Sequence, residues 1–191
     1  EKNIIFICDE VMSGFGRTGT FWAHQKHNLK PDIITCAKAL TSGYSQLSGV
    51  ILNDRISDVF KENPVMCGLT YSGHPLSCTV ANRCLDLYLQ DNRKLFENVL
   101  DKSELLNEMG TKIASKYNFI KEYRNNGFLG CFELDLEEEK LLEISNLLIQ
   151  NNIYCMRIRH NIFTSPTLGI DENMLEESLK QMDMAFGSLE A

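Results

Sequence analysis

The pattern of apolar positions changes character near residue 90. Before that point, short unbroken apolar runs alternate with polar turns. Asn3-Ile4-Ile5-Phe6-Ile7-Cys8 is such a run, the pattern of a strand covered on both faces. A glycine-rich turn, Ser13–Gly19, and a short segment, Phe21–Asn28, follow it. Pro31 then punctuates, Asp32–Ala37 is a second strand, and Gln46–Leu52 is a third, closed by Asn53-Asp54. Ile56–Glu62 is a short helix stopped before Pro64. Pro75–Leu89 is helical, with proline in its first turn and Val80, Cys84, Leu87 and Tyr88 along one stripe.

From Asn92 the period is helical for longer. An amphipathic helix runs to about Lys116, with Leu95, Val99, Leu106, Met109 and Ile113 on one side. Gly127–Asp135 alternates as a strand does, and Glu138–Asn151 is a helix. Ile153–Ile158 and Asn161–Ser165 are strands, and Glu172–Leu189 is a terminal helix. The order predicts an α/β segment over residues 1–91, a connecting helix over 92–116 and a small α+β domain over 117–191. The chain lacks an initiator Met and enters a strand within three residues, so it is expected to be the C-terminal portion of a longer protein.

Charge narrows the function classes. Residues 1–100 carry ten acids and ten bases, whereas 101–191 carry sixteen and nine, which accounts for the whole net charge of −7. No Lys/Arg stripe exists to neutralise a phosphate backbone, so nucleic-acid binding is not expected. No 18-residue apolar span exists, so neither is a membrane. The seven cysteines, an odd number, show no C-x-x-C pair, and Cys8, Cys36, Cys84 and Cys131 sit inside apolar runs. They read as reduced, buried thiols of a reducing compartment, hence a cytoplasmic location. No metal enters the expected site.

Two charges stand out against this background. Asp9 closes the first strand and Lys38 follows the second directly. Buried strand ends are costly places for charge, and open α/β sheets bind their ligands there. Each residue has an ordinary alternative, Asp9 as a cap on the next helix and Lys38 as a snorkelling surface lysine. Together, within one βαβ-sized unit, they supply what a pyridoxal phosphate (PLP) enzyme needs, an amine for a Schiff base and a carboxylate to hold the pyridine nitrogen protonated. Gly14-Phe15-Gly16-Arg17-Thr18-Gly19 matches the dinucleotide fingerprint G-x-G-x-x-G in letters only. Asp9-Glu10-Val11-Met12 separates it from the strand, and Asp32 precedes the second strand instead of ending it. The glycines are expected to serve a tight positive-φ turn.

Asp9-Glu10-Val11-x-x-Gly14-Phe15-Gly16-Arg17-Thr18-Gly19, then Pro31-Asp32-Ile33-Ile34, then Lys38-Ala39-Leu40-Thr41-Ser42-Gly43-Tyr44 resembles the class III (ω-amino acid type) PLP-dependent aminotransferases. Thr70-Tyr71-Ser72-Gly73-His74-Pro75 is similar to that family's cofactor-phosphate segment. Gly127-Phe128-Leu129-Gly130 and Ser165-Pro166-x-Leu168 resemble its small-domain strands. The resemblance implies fold type I of the PLP-dependent transferases, with residues 1–91 the C-terminal part of the large mixed-sheet domain. Gln46 stands where many relatives have proline, and the link from Asp135 to Leu141 is short.

Carried over by position, Lys38 becomes the Schiff-base lysine and proton shuttle, and Asp9 the partner of the pyridinium nitrogen. Val11 packs beneath the ring or is ordinary core. Thr70 reaches the cofactor phosphate of the neighbouring subunit, making a homodimer with a shared active site; on the residues alone it is a turn before the Pro75 helix. Arg157 or Arg159 forks the substrate's acid group, or the two are ordinary solvated strand charges; strand alternation puts both on one face. Glu10 and Arg17 are structural. The implied reaction takes an amino group from an ω-amino donor to a keto acid such as pyruvate, by a ping-pong route. Other chemistry on the same scaffold (aminomutase or decarboxylase) and a non-catalytic binding module are the alternatives. The 191 residues alone are expected to bind PLP poorly and to transaminate nothing measurable.

Overall fold

A parallel pair of strands, β1 (Ile7–Asp9) and β2 (Ile33–Cys36), organises the first half of the computed structural model. The structure describes residues 2–190; residues 1 and 191, the outer ends of the two expected domains, lie outside the described residues. The chain divides into two units between Phe96 and Glu97. The break falls in the first turn of the long helix expected from Asn92.

In the first unit the sheet order is β1-β2-β3, with β3 (Gly49–Leu52) antiparallel to β2. Pairing runs Ile7↔Ile33, Cys8↔Ile34 and Asp9↔Thr35 on one side of β2, and Ile33↔Leu52 to Cys36↔Gly49 on the other. Asp32 staples the starts of β1 and β2 to the end of β3. Its Oδ2 accepts from Phe6 N at 2.9 Å, and its Oδ1 from Asn53 Nδ2 at 2.8 Å and Arg55 Nη1 at 3.4 Å. Because the Asp32 side chain takes the Phe6 amide, the ladder begins only at Ile7. Within these 191 residues Ile4 and Ile5 are 73% and 50% exposed, and Ile7 is exposed as well.

The apolar side chains that this unit does bury gather elsewhere. Phe15 lies 5.4 Å from Phe21, 4.9 Å from Trp22 and 5.9 Å from Tyr88, and Phe96 completes the cluster against Phe21 and Tyr88. The helices of this unit are the short α1 (Ala23–Lys26), α2 (Asp54–Glu62) and α3 (Pro75–Leu89), the last carrying Tyr88 into the cluster. Asn53 caps α2 by accepting from Ile56 N at 3.1 Å, so the helix starts two residues before the expected Ile56, and Pro75 opens α3 as the sequence predicts.

The second unit begins within α4 (Lys94–Ala114) and holds an antiparallel sheet of order β4-β5-β7-β6. Its core joins Val99, Leu106 and Ile113 of α4, Phe132 and Leu134 of β5 (Leu129–Leu134), Leu141, Ile144 and Leu148 of α5 (Glu138–Gln150), and Leu175, Leu179 and Phe186 of α6 (Glu172–Glu190). Strand β4 (Ile120–Asn126) is absent from the sequence prediction for a physical reason. A register shift between Ile120 and Glu122 buries Ile120 and Tyr123, three apart, so the run shows no two-residue alternation. Strand β6 shrinks to Arg157–Ile158, because Ile153 N donates to Leu148 O at 2.9 Å and so belongs to the end of α5. Strand β7 is Asn161–Thr164.

Candidate active site

Because β1 and β2 are parallel, their carboxyl ends share one sheet edge. Asp9 ends β1, and Lys38 lies two residues beyond the end of β2, so the two charges picked out in sequence reach the same edge. The Asp9 carboxylate is held through one oxygen. Its Oδ1 accepts from Val11 N at 3.0 Å and from Thr35 Oγ1 at 3.0 Å, while none of the described residues donates to Oδ2. Val11 is half-buried in the turn that follows the strand.

Lys38 is exposed and starts a single 3-10 turn, Lys38–Leu40, with φ of +43°. A left-handed backbone on a lysine costs about 1 to 2 kcal/mol, so neighbouring contacts must impose it. Helix α3 supplies them. Tyr88 Oη donates to Ala39 O at 2.7 Å and lies 2.6 Å from Ser42 Oγ. Ser77, three turns earlier on the same buried stripe, lies 2.7 Å (Oγ to Oγ) from Ser45. Burial pushes the Tyr88 phenol above its ordinary value, against the pull of its Ser42 hydrogen bond. Arg17, partly buried, has its guanidinium pushed down by burial, with Tyr88 acting in the opposite sense.

Lys38 lines a hollow of about 800 Å³ together with Thr41, Ser45, Gln46, Thr70 and Ser72. Thr70 sits in a turn that runs through Gly73 (φ +64°) into the first turn of α3. The hollow is therefore bounded by an amine, several hydroxyls and a turn leading into a helix N-terminus, a setting that suits an anion.

The other half of Asp9-Glu10 has a different task. Glu10 is 2% exposed, and its carboxylate accepts from Ser13 Oγ at 2.5 Å, Ala23 N at 3.0 Å and His24 N at 2.8 Å. It also lies 3.1 Å from His24 Nδ1. Burial alone would raise its pKa, but these hydrogen bonds outweigh burial and hold it below the usual carboxylate value. The helix-capping role open to Asp9 thus falls to Glu10. The Gly14–Gly19 stretch forms the expected turn, with positive φ at Phe15, Gly16 and Gly19; a Cβ on Gly16 would meet Phe96 at 2.2 Å.

Arg157 and Arg159 belong to the second unit. The Arg157 guanidinium donates to Glu138 Oε1 at 2.9 Å and to Arg159 O at 2.8 Å. Strand β6 ends at Ile158 and Arg159 turns away with φ +54°, so alternation does not place the two side chains on one face. Sequence reasoning also missed Thr35 and Tyr88. Thr35 carries a signal in hindsight, because it is the polar side chain within the apolar run of β2. Tyr88 carries none, since a stripe tyrosine reads as core.

A mixed α/β unit with an amine and an oriented carboxylate at the ends of adjacent parallel strands has the make-up of a PLP enzyme's large domain. Residues 1–186 match the family model of class-III aminotransferases, and the chain belongs to that family, whose members depend on PLP. It is 42% identical over 132 residues to a gamma aminobutyrate transaminase 3, chloroplastic, of Solanum lycopersicum, covering 66% of this chain and 25% of that protein. It is 39% identical over 132 residues to the vanillin aminotransferase of Capsicum frutescens, covering 66% and 28%. The fold is that of these enzymes. A taurine:2-oxoglutarate aminotransferase from Bifidobacterium kashiwanohense, solved with PLP and glutamate, superposes with a TM-score of 0.90 at 31% identity over 97% of this chain and 44% of that one. The ornithine aminotransferase of Toxoplasma gondii gives 0.88 at 26% identity over 99% and 44%. The chain thus spans under half the length of its relatives.

The residues present fit the family's cofactor. Asp9 has an oxygen, Oδ2, to which none of the described residues donates, and Lys38 offers its amine at the hollow. Among the described residues no cluster of His, Cys, Asp and Glu is arranged to hold a metal ion, and no helix is long and apolar enough to cross a membrane.

Proposed function

We propose that this chain is the lysine-bearing part of an aminotransferase that moves an amino group from an ω-amino donor to a keto acid such as pyruvate, in ping-pong fashion. The observation that carries this reading is the placement of Asp9 and Lys38 beyond adjacent parallel strands, with one Asp9 oxygen pinned and the other open. PLP, when bound, supplies the electron sink for the chemistry. Lys38 anchors it covalently and, once its amine is released, takes up and returns a proton at Nζ. Asp9 Oδ2 keeps the ring nitrogen protonated, and Val11 packs against the ring.

Thr70 reaches the cofactor phosphate of a second copy of the protein, so the working unit is a homodimer. Arg157 or Arg159 binds the acid group of the substrate. The protein works in the cytoplasm, and the 191 residues alone bind PLP poorly and turn over nothing measurable.

The test uses the full-length protein with PLP. Lys38→Ala is expected to abolish the visible absorption band of the bound cofactor, and no effect would return the fold to a binding module. Taurine, β-alanine, a diamine and an aromatic amine are then each supplied with pyruvate. Alanine is the expected product. A decarboxylated or internally rearranged donor without alanine would assign the scaffold to decarboxylase or aminomutase chemistry instead.

A further inference from the structure

We propose that Thr35 is a positioning residue for the cofactor, acting through the Asp9 carboxylate; the inference rests on the reading of Asp9 given under Proposed function. Thr35 and Asp9 are register partners across the parallel β1–β2 pair, so their side chains rise from the same face. Thr35 Oγ1 donates to Asp9 Oδ1 at 3.0 Å, and the Thr35 carbonyl accepts from Glu10 N at 2.9 Å. The threonine therefore grips the end of β1 through both backbone and side chain.

The terminal torsion of a free aspartate is broad and nearly two-fold, so its two oxygens exchange places readily. Two donors on Oδ1, the Thr35 hydroxyl and the Val11 amide, remove that freedom and leave Oδ2 as the oxygen for a ring nitrogen. A β-branched side chain suits the task, because its restricted χ1 holds the hydroxyl in place before anything binds. Threonine is also a good strand former, and that alone would explain it without any link to the site. Valine would serve a strand equally well, which separates the two accounts.

The experiment is a double-mutant cycle in the full-length apoprotein, read as the dissociation constant for PLP, with the melting temperature and the pH profile of the visible band as further readouts. Thr35→Val is expected to weaken PLP binding on the order of tenfold and to shift the pH profile of the band, with melting unchanged. Thr35→Ser, which restores the hydroxyl, is expected to recover most of that loss. In an Asp9→Ala background, Thr35→Val should cost nothing more. If Asp9→Ala itself leaves PLP affinity unchanged, the reading of Asp9 fails and the role of Thr35 with it. If Asp9→Ala weakens binding but Thr35→Val does not, or costs the same in both backgrounds, Asp9 stands and Thr35 is only a strand residue.

Discussion

Tyr88 donates its hydroxyl proton to the carbonyl of Ala39 over 2.7 Å, and so ties helix α3 to the turn that begins at Lys38. Lys38 has φ of +43° and Ser42 has φ of +49°, so this loop does not relax into its present shape unaided. Burial raises the phenol's pKa, so the donor proton stays in place through the neutral range. Tyr88→Phe keeps the ring in its aromatic cluster and removes only the hydroxyl, with its bonds to Ala39 O and Ser42 Oγ. It should cost about 1 to 2 kcal/mol, seen as a lower urea midpoint at unchanged slope. PLP affinity should fall with it, because Lys38 loses its fixed starting point; unchanged affinity would mean that the turn is held elsewhere.

Gly130 of the second unit has no room for a side chain. A Cβ there would lie 2.2 Å from both Thr164 Oγ1 and Tyr123 Oη, which are bonded to each other at 2.8 Å. Gly130→Ala is expected to destabilise the protein by about 1 to 3 kcal/mol through overpacking, measured by calorimetry. The same geometry explains why the Gly127-Phe128-Leu129-Gly130 stretch has its form: Gly127 turns the β4–β5 hairpin with φ of +62°, and Phe128 is fully buried.

Glu10 makes stability depend on pH. Its folded pKa lies below the ordinary value of 4.5, so the folded state favours the carboxylate and the unfolded state binds the proton more readily. The contribution is complete above 4.5 and is lost as pH falls from there through the lowered folded value. Urea midpoints taken from neutral pH downward should show Glu10→Gln less stable at pH 7. The wild type should lose more of its stability below 4.5 than the variant does.

Arg157 is only 19% exposed and its fork is already ordered by Glu138 Oε1 and Arg159 O. Glu138 is 66% exposed, so the ion pair contributes no more than about 1 kcal/mol and is easily exchanged for another carboxylate. Arg157→Ala is expected to raise KM for the acidic substrate about tenfold or more in the full-length enzyme, with a smaller change in kcat. Arg159→Ala, at an exposed turn, should do less. The reverse order would assign the acid group to Arg159.

Most of the elements were legible because their signals are local. Pro75 opens α3, Pro64 follows the end of α2, and α4 shows its stripe within the sequence itself. Strand β4 was not legible, because a bulge erases the alternation that identifies a strand. The length of β1 was misjudged for a related reason: an apolar run says nothing of Asp32, which intercepts the Phe6 amide from 26 residues away.

The site divides in the same way. The sequence by itself determined which charges end two strands, that Gly14–Gly19 turns instead of opening a nucleotide-binding helix, and that Thr70 belongs to a turn before the Pro75 helix. Tertiary structure alone decided that Glu10 is buried and caps α1 while Asp9 keeps an open oxygen. It also decided that Thr35 holds Asp9 across 26 residues and that Tyr88 holds Ala39 across 49. The first group follows from backbone sterics and the price of charge at a strand end, which act within a few residues. The second follows from sheet register and helix docking, which bring together hydrogen-bonding groups that no local pattern connects.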